Sequence, residues 1–236
     1  MTNKKICVFA YNFNHFKTQN GIINMILSGF KPDLVILQDW KKLNIRKSNI
    51  RIAPRDLYLI DPRVILDKFN INYIITDHNS QESIQQINKL NCDLGVILGS
   101  RILSHEVIQC FNIGILNLHP GLLPENRGLD TIQWAVVKNI KQGVTSHIIS
   151  KEIDKGFLVL SEEIKIYDDD TLVDMHIRIL NLEQKMMIES LNLLLHENFK
   201  PHIELGSGCY HSTLDSCYED SFYDIFEQYK KTNSSL

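Results

Sequence analysis

Five short apolar runs punctuate the first half of the chain: Lys5 to Ala10, Leu34 to Leu37, Tyr73 to Thr76, Leu94 to Leu98, and Ile113 to Leu116. A strand with one wet face alternates polar and apolar residues; runs without that alternation are strands covered on both faces, the condition of a mostly parallel sheet flanked by helices. Helix signals fall between them. Ile22, Ile23, Ile26 and Leu27 recur at helical spacing after a loop from Tyr11 to Asn20, Asn79 or Ser80 can cap a helix carrying Ile84, Ile87 and Leu90, and a short helix is expected near Glu106 to Phe111. The alternation predicts an α/β fold with a doubly wound, mostly parallel Rossmann-like sheet.

In the second half, Gly143 to Ile149 and Phe157 to Tyr167 read as two strands joined by a loop that carries Asp154. Asp168-Asp169-Asp170-Thr171 then puts negative charge and a capping hydroxyl at the start of a long helix, Leu172 to Glu197, with a core stripe of Leu172, Met175, Ile179, Leu182, Met186 and Leu193. After Pro201 the glycines and aromatics change in character, and residues 201–236 are expected to form a small β-hairpin and terminal helix appended to a core of residues 1–200.

At 236 residues with a net charge of −3 and interspersed signs, the chain offers no broad basic face, so nucleic acid is not an expected partner. No apolar run approaches the roughly twenty residues that span a bilayer, and Met1 to Lys5 lead directly into a strand, so the expected location is cytoplasmic with no membrane partner. Five cysteines without a CxxC pair give no zinc signal, and Cys7, Cys92 and Cys110 sit in or beside apolar segments, as reduced core thiols do. No metal is expected.

The chemistry concentrates in Asn117-Leu118-His119-Pro120-Gly121-Leu122-Leu123-Pro124. Two residues apart on a strand, Asn117 and His119 leave the same face, and Pro120, Gly121 and Pro124 end the pairing there, where open α/β sheets bind ligands. Asp154 follows in a glycine-containing loop. Amide, imidazole and carboxylate have complementary hydrogen-bonding roles.

With Arg127-Gly128 and the Gly143-Val144-Thr145 to Asp154-x-Gly156 unit, this segment resembles the formyltransferase family, which uses 10-formyltetrahydrofolate; the resemblance covers about residues 70 to 195. The family usually has Ser where this chain has Gly121, a small-residue change expected to leave the turn intact. Residue by residue, the resemblance implies that Asn117, His119 and Asp154 are catalytic. An amine attacks the formyl carbon; the Asn117 amide and a ring N–H of His119 would donate to the oxyanion, while Asp154 would orient His119 and help carry the amine's proton, the base being either residue. The resemblance further implies a folate site built from the Ile97 to Leu103 backbone and the Ser150 to Gly156 loop, with Leu98, Ile102, Leu103, Ser150, Ile153 and Asp154 as cofactor contacts.

Among family branches, methionyl-tRNA formyltransferases add a substantial tRNA-binding domain, where this chain has about forty aromatic and acidic residues after its long helix. Glycinamide ribonucleotide formyltransferases carry a glycine-rich phosphate loop where this chain has Tyr11-Asn12-Phe13-Asn14-His15-Phe16-Lys17. The hydrolases carry an extra N-terminal domain. The resemblance therefore points to sugar N-formyltransferases, with a dTDP-linked amino-deoxysugar such as dTDP-4-amino-4,6-dideoxyglucose as acceptor, a role in O-antigen synthesis, and a homodimer formed by the C-terminal aromatics, which could instead cover a sheet edge. Phosphoribosylglycinamide formylation and non-catalytic binding of folate and sugar nucleotide are the alternatives. Candidate acceptor contacts are Tyr11, Trp40, His78, Asn79 and Arg127, with Trp40 a base-stacking platform or ordinary packing, Arg127 a substrate contact or a partner of Glu125 or Asp130, and Lys17 or Lys151 near the diphosphate.

Overall fold

The computed structural model describes residues 4–42, 44–197 and 199–234. Its centre is a seven-stranded sheet built from β1 (Ile6–Tyr11), β2 (Leu34–Gln38), β3 (Tyr73–Ile75), β4 (Leu94–Ile97), β5 (Gly114–His119), β7 (Gly143–Ile149) and β8 (Gly156–Glu163), in the order β3-β2-β1-β4-β5-β7-β8. The first five of these in space run parallel; β7 is antiparallel to β5, and β8 to β7. The expected doubly wound, mostly parallel architecture is present.

Side-chain parity along β1 shows how the sheet is covered. Ile6, Val8 and Ala10 enter the larger core, with Ile22 and Met25 of α1 (Phe16–Leu27) and the stripe of α6 (Leu172–Leu195); Cys7 and Phe9 enter the opposite one, with Ile87 of α3 (Gln81–Leu90) and Val107 of α4 (His105–Ile108). Both faces are dry, as the unbroken apolar runs require. All five cysteines are free thiols, with Cys7 and Cys92 buried.

Caps decide several boundaries. Thr171 and Asp174 form a reciprocal capping box at the start of α6, and Asp170 pairs with Arg178 at 2.8 Å. Ser80 caps α3. The first helix starts earlier than its apolar spacing suggests, because the His15 side chain accepts from the Thr18 N–H and begins it at Phe16. Helix α2 (Pro62–Lys68) opens on an Asp61 cap with proline in its first turn, and α5 (Thr131–Lys138) follows the short strand β6 (Arg127–Gly128).

The C-terminal hairpin is not formed. Tyr210–His211 (β9) instead pairs parallel with β6, and Phe157 bridges to Glu204, so the segment after Pro201 is laid against the core that leads to the site. The terminal helix α7 (Phe222–Asn233) turns most of its aromatics inward: Phe222, Phe226 and Tyr229 are buried and Tyr229 donates to the Ile140 carbonyl at 3.1 Å, while Tyr223 stays exposed. Among the described residues no helix is long and apolar enough to cross a membrane, and no group of side chains is arranged to hold a metal ion.

Candidate active site

Strand β5 delivers Asn117 and His119 to its C-terminal end, and the antiparallel register of β7 sets His147 opposite Asn117 and Thr145 opposite His119. The turn that follows is pinned from β7. The Thr145 hydroxyl accepts from the Leu123 N–H at 2.9 Å and donates to the Gly121 carbonyl at 2.8 Å, while Gln142 and Thr131 both donate to the Pro120 carbonyl. The Leu123-Pro124 peptide is cis. The chain thus doubles back and brings the Asn126 carbonyl to 2.8 Å from His119 Nε2. Asn126 is itself buried, its amide donating to the Thr131 carbonyl and the Gln142 side chain.

Asp154 reaches the same point from the β7–β8 loop, which bends through positive φ at Asp154 (51°) and Gly156 (131°). One carboxylate oxygen accepts from the Gly128 N–H at 2.8 Å; the other lies 3.4 Å from His119 Nδ1. Arg127 braces the loop by donating to the Ile153 carbonyl at 2.5 Å. Burial pushes the Asp154 carboxyl up, but His119 and the Gly128 N–H together outweigh it and hold the group below the ordinary carboxylate value.

His119 is therefore clamped between two acceptors, a carbonyl on Nε2 and a carboxylate on Nδ1, a setting that N–H groups on both nitrogens satisfy. Both ring nitrogens thus face an acceptor of the protein itself. The expected ring donation to an oxyanion thus needs one of these partners to be released, whereas Asn117 is better placed. Its amide donates one N–H to His147 Nε2 at 3.2 Å and retains a second. His147 accepts because it is neutral: burial, reinforced by the nearby His119, lowers it to about 4.

Asn117 and Asp154 open onto a cleft of about 210 Å³ whose other walls include Ile97, Ile102, Leu103, Ser150 and Ile153. Four of the expected cofactor contacts besides Asp154, namely Ile102, Leu103, Ser150 and Ile153, line it. Leu98 does not. It is buried against Gly21, because adjacent strand residues point to opposite faces and Ile97 takes the cleft side.

The expected acceptor contacts separate. His78 is fully buried, its Nε2 shared between the Ala10 and Ile36 carbonyls at 3.0 and 3.1 Å, so it ties strands together and reaches no ligand surface. Asn79 spends its amide latching the cleft-wall loop, donating to the Ile102 carbonyl and accepting from the Ser104 N–H. Arg127 points at backbone carbonyls, with no ion pair to Glu125 or Asp130. Lys17 is consumed by Glu183 and the Leu118 carbonyl. Tyr11 donates to the Ser100 carbonyl at 2.8 Å and stacks on Phe13, which makes it a support of the cleft wall. Trp40 remains exposed on the rim of a second groove, and Lys151 lines the cleft. Nothing in the sequence assigns a role at the site to Asn126 or His147, or more than a place in the Arg127-Gly128 motif to Gly128. Two of these act through backbone groups, which leave no side-chain signature, and the third depends on strand register.

Comparison with known proteins places this arrangement. The methionyl-tRNA formyltransferase of Flavobacterium psychrophilum is 30% identical over 159 residues, 65% of this chain and 50% of that protein. The chain spans about half the length of the curated relatives it matches. Two solved structures share the fold: phosphoribosylglycinamide formyltransferase from Bacillus halodurans (TM-score 0.63, 21% identity, 82% of this chain and 97% of that one) and a formyltransferase from Anoxybacillus kamchatkensis in complex with UDP-4,6-dideoxy-4-formamido-L-AltNAc and tetrahydrofolate (TM-score 0.56, 22% identity, 80% and 90%). The formyl transferase family profile matches residues 63–191, more than half of the 236 residues, and the chain belongs to that family.

Proposed function

We propose that the protein is an N-formyltransferase that moves the formyl group of 10-formyltetrahydrofolate to the amino group of a nucleotide-linked amino-deoxysugar, a dTDP-4-amino-4,6-dideoxyglucose-type acceptor being the first to test. The observation that carries the reading is the convergence of Asn117, His119 and Asp154 at one end of an apolar-walled cleft in a member of this family.

The cleft suits a folate head. Ile97, Ile102, Leu103 and Ile153 supply apolar walls for a flat ring, Ser150 and the surrounding backbone supply polar edges, and its small open volume takes a bicycle while a longer tail stays in solvent. When bound, the co-substrate supplies a formyl carbon activated on nitrogen. The second amide N–H of Asn117, which lines the cleft, would donate to the oxygen on which negative charge develops as the amine adds; one such donor is worth roughly 3 kcal/mol of barrier. Asp154, ionised at neutral pH, would take up the amine's proton directly or through water, the proton passing to the folate nitrogen as its bond to the formyl carbon breaks, and the carboxylate orients His119. The neutral His147 accepts one N–H of the Asn117 amide and so fixes the amide's orientation.

The sugar acceptor draws support from the sugar-nucleotide complex of the Anoxybacillus relative and from the basic groove described next. The test is mass spectrometry of dTDP- and UDP-linked 3-amino and 4-amino deoxysugars after incubation with the protein and 10-formyltetrahydrofolate. Gain of one formyl group by one of them is the expected result. Formylation of glycinamide ribonucleotide or methionyl-tRNA instead would keep the chemistry and overturn the acceptor.

A further inference from the structure

Among the described residues between β2 and α2 none lies in a helix or strand ahead of Pro62, yet several of them build one wall of a groove of about 630 Å³ beside the cleft, within the ~300–1,000 Å³ range of small-molecule sites. Its lining is basic: Lys41, Lys42, Arg46, Lys47 and Arg101 face a single carboxylate, Asp130. Some of this charge is already used. Asp77 pairs with Lys41, Glu219 pairs with Arg46, whose second nitrogen donates to the Leu214 carbonyl at 2.6 Å, and Asp130 accepts from the Leu214 N–H at 2.9 Å. Those contacts anchor the wall. Lys42 and Lys47 are exposed and have no ion-pair partner among the described residues. On the same lining Trp40 is 64% exposed, a large aromatic surface left uncovered where burial is the norm.

Arg101 joins the two spaces. It lines the groove and also the cleft that holds Asn117 and Asp154, one of its guanidinium nitrogens donating to the Lys41 carbonyl at 2.9 Å. On the other side Leu129 lines the groove and directly follows Gly128, whose N–H holds Asp154. A ligand with its anionic middle at Arg101 therefore has one end in the groove and the other at the reacting groups.

We infer that this groove seats a nucleoside diphosphate, the base against Trp40 and the diphosphate among Lys42, Lys47 and Arg101, so that the sugar beyond it enters the cleft. The inference rests on the formyl-transfer reading for its orientation. A simple phosphate would need one or two of these cations and no aromatic platform; three cations and an exposed indole lining one groove match a longer anion with a flat terminus.

The first probe is dTDP alone, titrated against the full chain with tryptophan emission as the readout. The chain has two tryptophans, and Trp134 is engaged, donating to the Ser212 carbonyl and stacked on His211, so the exposed Trp40 is the one positioned to respond. Saturable quenching is expected, lost in W40F, with the dissociation constant raised at least tenfold in the K42E/K47E double variant and the KM for a formylated sugar nucleotide raised in parallel. Both lysines are exposed, so an unchanged circular dichroism spectrum verifies the fold of that variant. Absence of quenching by dTDP or UDP while sugar nucleotides are still formylated overturns the groove and leaves formyl transfer standing. Lysine-dependent binding of a single-stranded RNA oligonucleotide without binding of dTDP overturns it as well. Quenching by dTDP that survives in K42E/K47E places the nucleotide elsewhere and refutes the assignment, whereas lysine-dependent dTDP binding without any sugar formylation upholds the groove and defeats the acceptor reading.

Discussion

Replacing Asp154 with Asn tests the clamp on His119 at almost constant volume. One oxygen of residue 154 must remain an acceptor, because the Gly128 N–H points at it from 2.8 Å, so the new NH₂ is forced toward His119 Nδ1. Two donors cannot face each other. Nδ1 must then present its lone pair, Nε2 keeps its proton for the Asn126 carbonyl, and the ring is held neutral. The magnitude follows from the 3.4 Å separation: at an effective dielectric constant of 20, opposite unit charges that close attract by about 5 kcal/mol. Desolvation of so enclosed a pair cancels part of this, leaving about 3–4 kcal/mol of differential stabilisation, or roughly 10²- to 10³-fold in kcat. The assay is the initial rate of tetrahydrofolate release at saturating acceptor, paired with ¹⁵N NMR of the His119 ring, which in the variant should report Nε2 as the protonated nitrogen and Nδ1 as the bare one. A D154N protein that folds and retains kcat within threefold of the native value would refute both the clamp and the role of the charge.

Three further outcomes follow from the same geometry. Truncating Asn117 to Ala removes the free amide donor and should lower kcat by roughly 10²- to 10³-fold with little change in folate affinity by equilibrium binding; a loss confined to affinity would reassign Asn117 to the folate. Burial holds His147, and burial together with Lys17 holds His15, at about 4, while an unfolded histidine takes its proton near 6.5. The unfolded state therefore binds more protons in between, so this stability is complete above 6.5 and is lost as pH falls toward 4; the urea midpoint should drop between neutral pH and about pH 5, less so in H147Q, and an equal drop in that variant would remove His147 from the account. Gly156 has φ +131°, and a Cβ there would lie 1.9 Å from the Ile148 carbonyl oxygen, so G156A must displace the Asp154 loop; kcat should fall with a lowered Tm, and native activity at native Tm would show that the loop position is not required.

Much of the fold is legible because it is written in local patterns. Continuous apolar runs give β1, β2, β4 and β5 their buried, parallel setting, β3 being parallel but half-exposed at the sheet edge, and a capping hydroxyl ahead of a regular stripe gives α6 almost to the residue. Elements held by tertiary contacts are not legible in this way. Strand β9 is two residues long and exists because β6 lies beside it, so nothing in Gly206 to Ser212 distinguishes that pairing from a hairpin. The same division runs through the site. Asn117, His119 and Asp154 announce themselves through side-chain chemistry and flanking glycines and prolines, whereas His78 has the right chemistry at a strand end and is drawn inward by two carbonyls that only the folded sheet supplies.

The least legible partner of His119 is a backbone oxygen, and it bears on Gly121, a position where the chain departs from the pattern it resembles. At Gly121 a Cβ would stand 2.8 Å from the Asn126 carbonyl oxygen and 3.1 Å from His119 Nε2, the two atoms that are themselves 2.8 Å apart. A serine accommodated in this backbone would have to push the carbonyl or the ring aside. Glycine leaves both where they are, so a substitution that looks neutral for the turn is not neutral for the imidazole. The carbonyl can accept but never donate, and its approach fixes a proton on Nε2 whatever the state of Nδ1. That leaves Nδ1, facing Asp154, as the ring position whose proton can change during turnover. The division of labour between His119 and Asp154, open when only their identities are considered, is narrowed by a residue with no side chain at all.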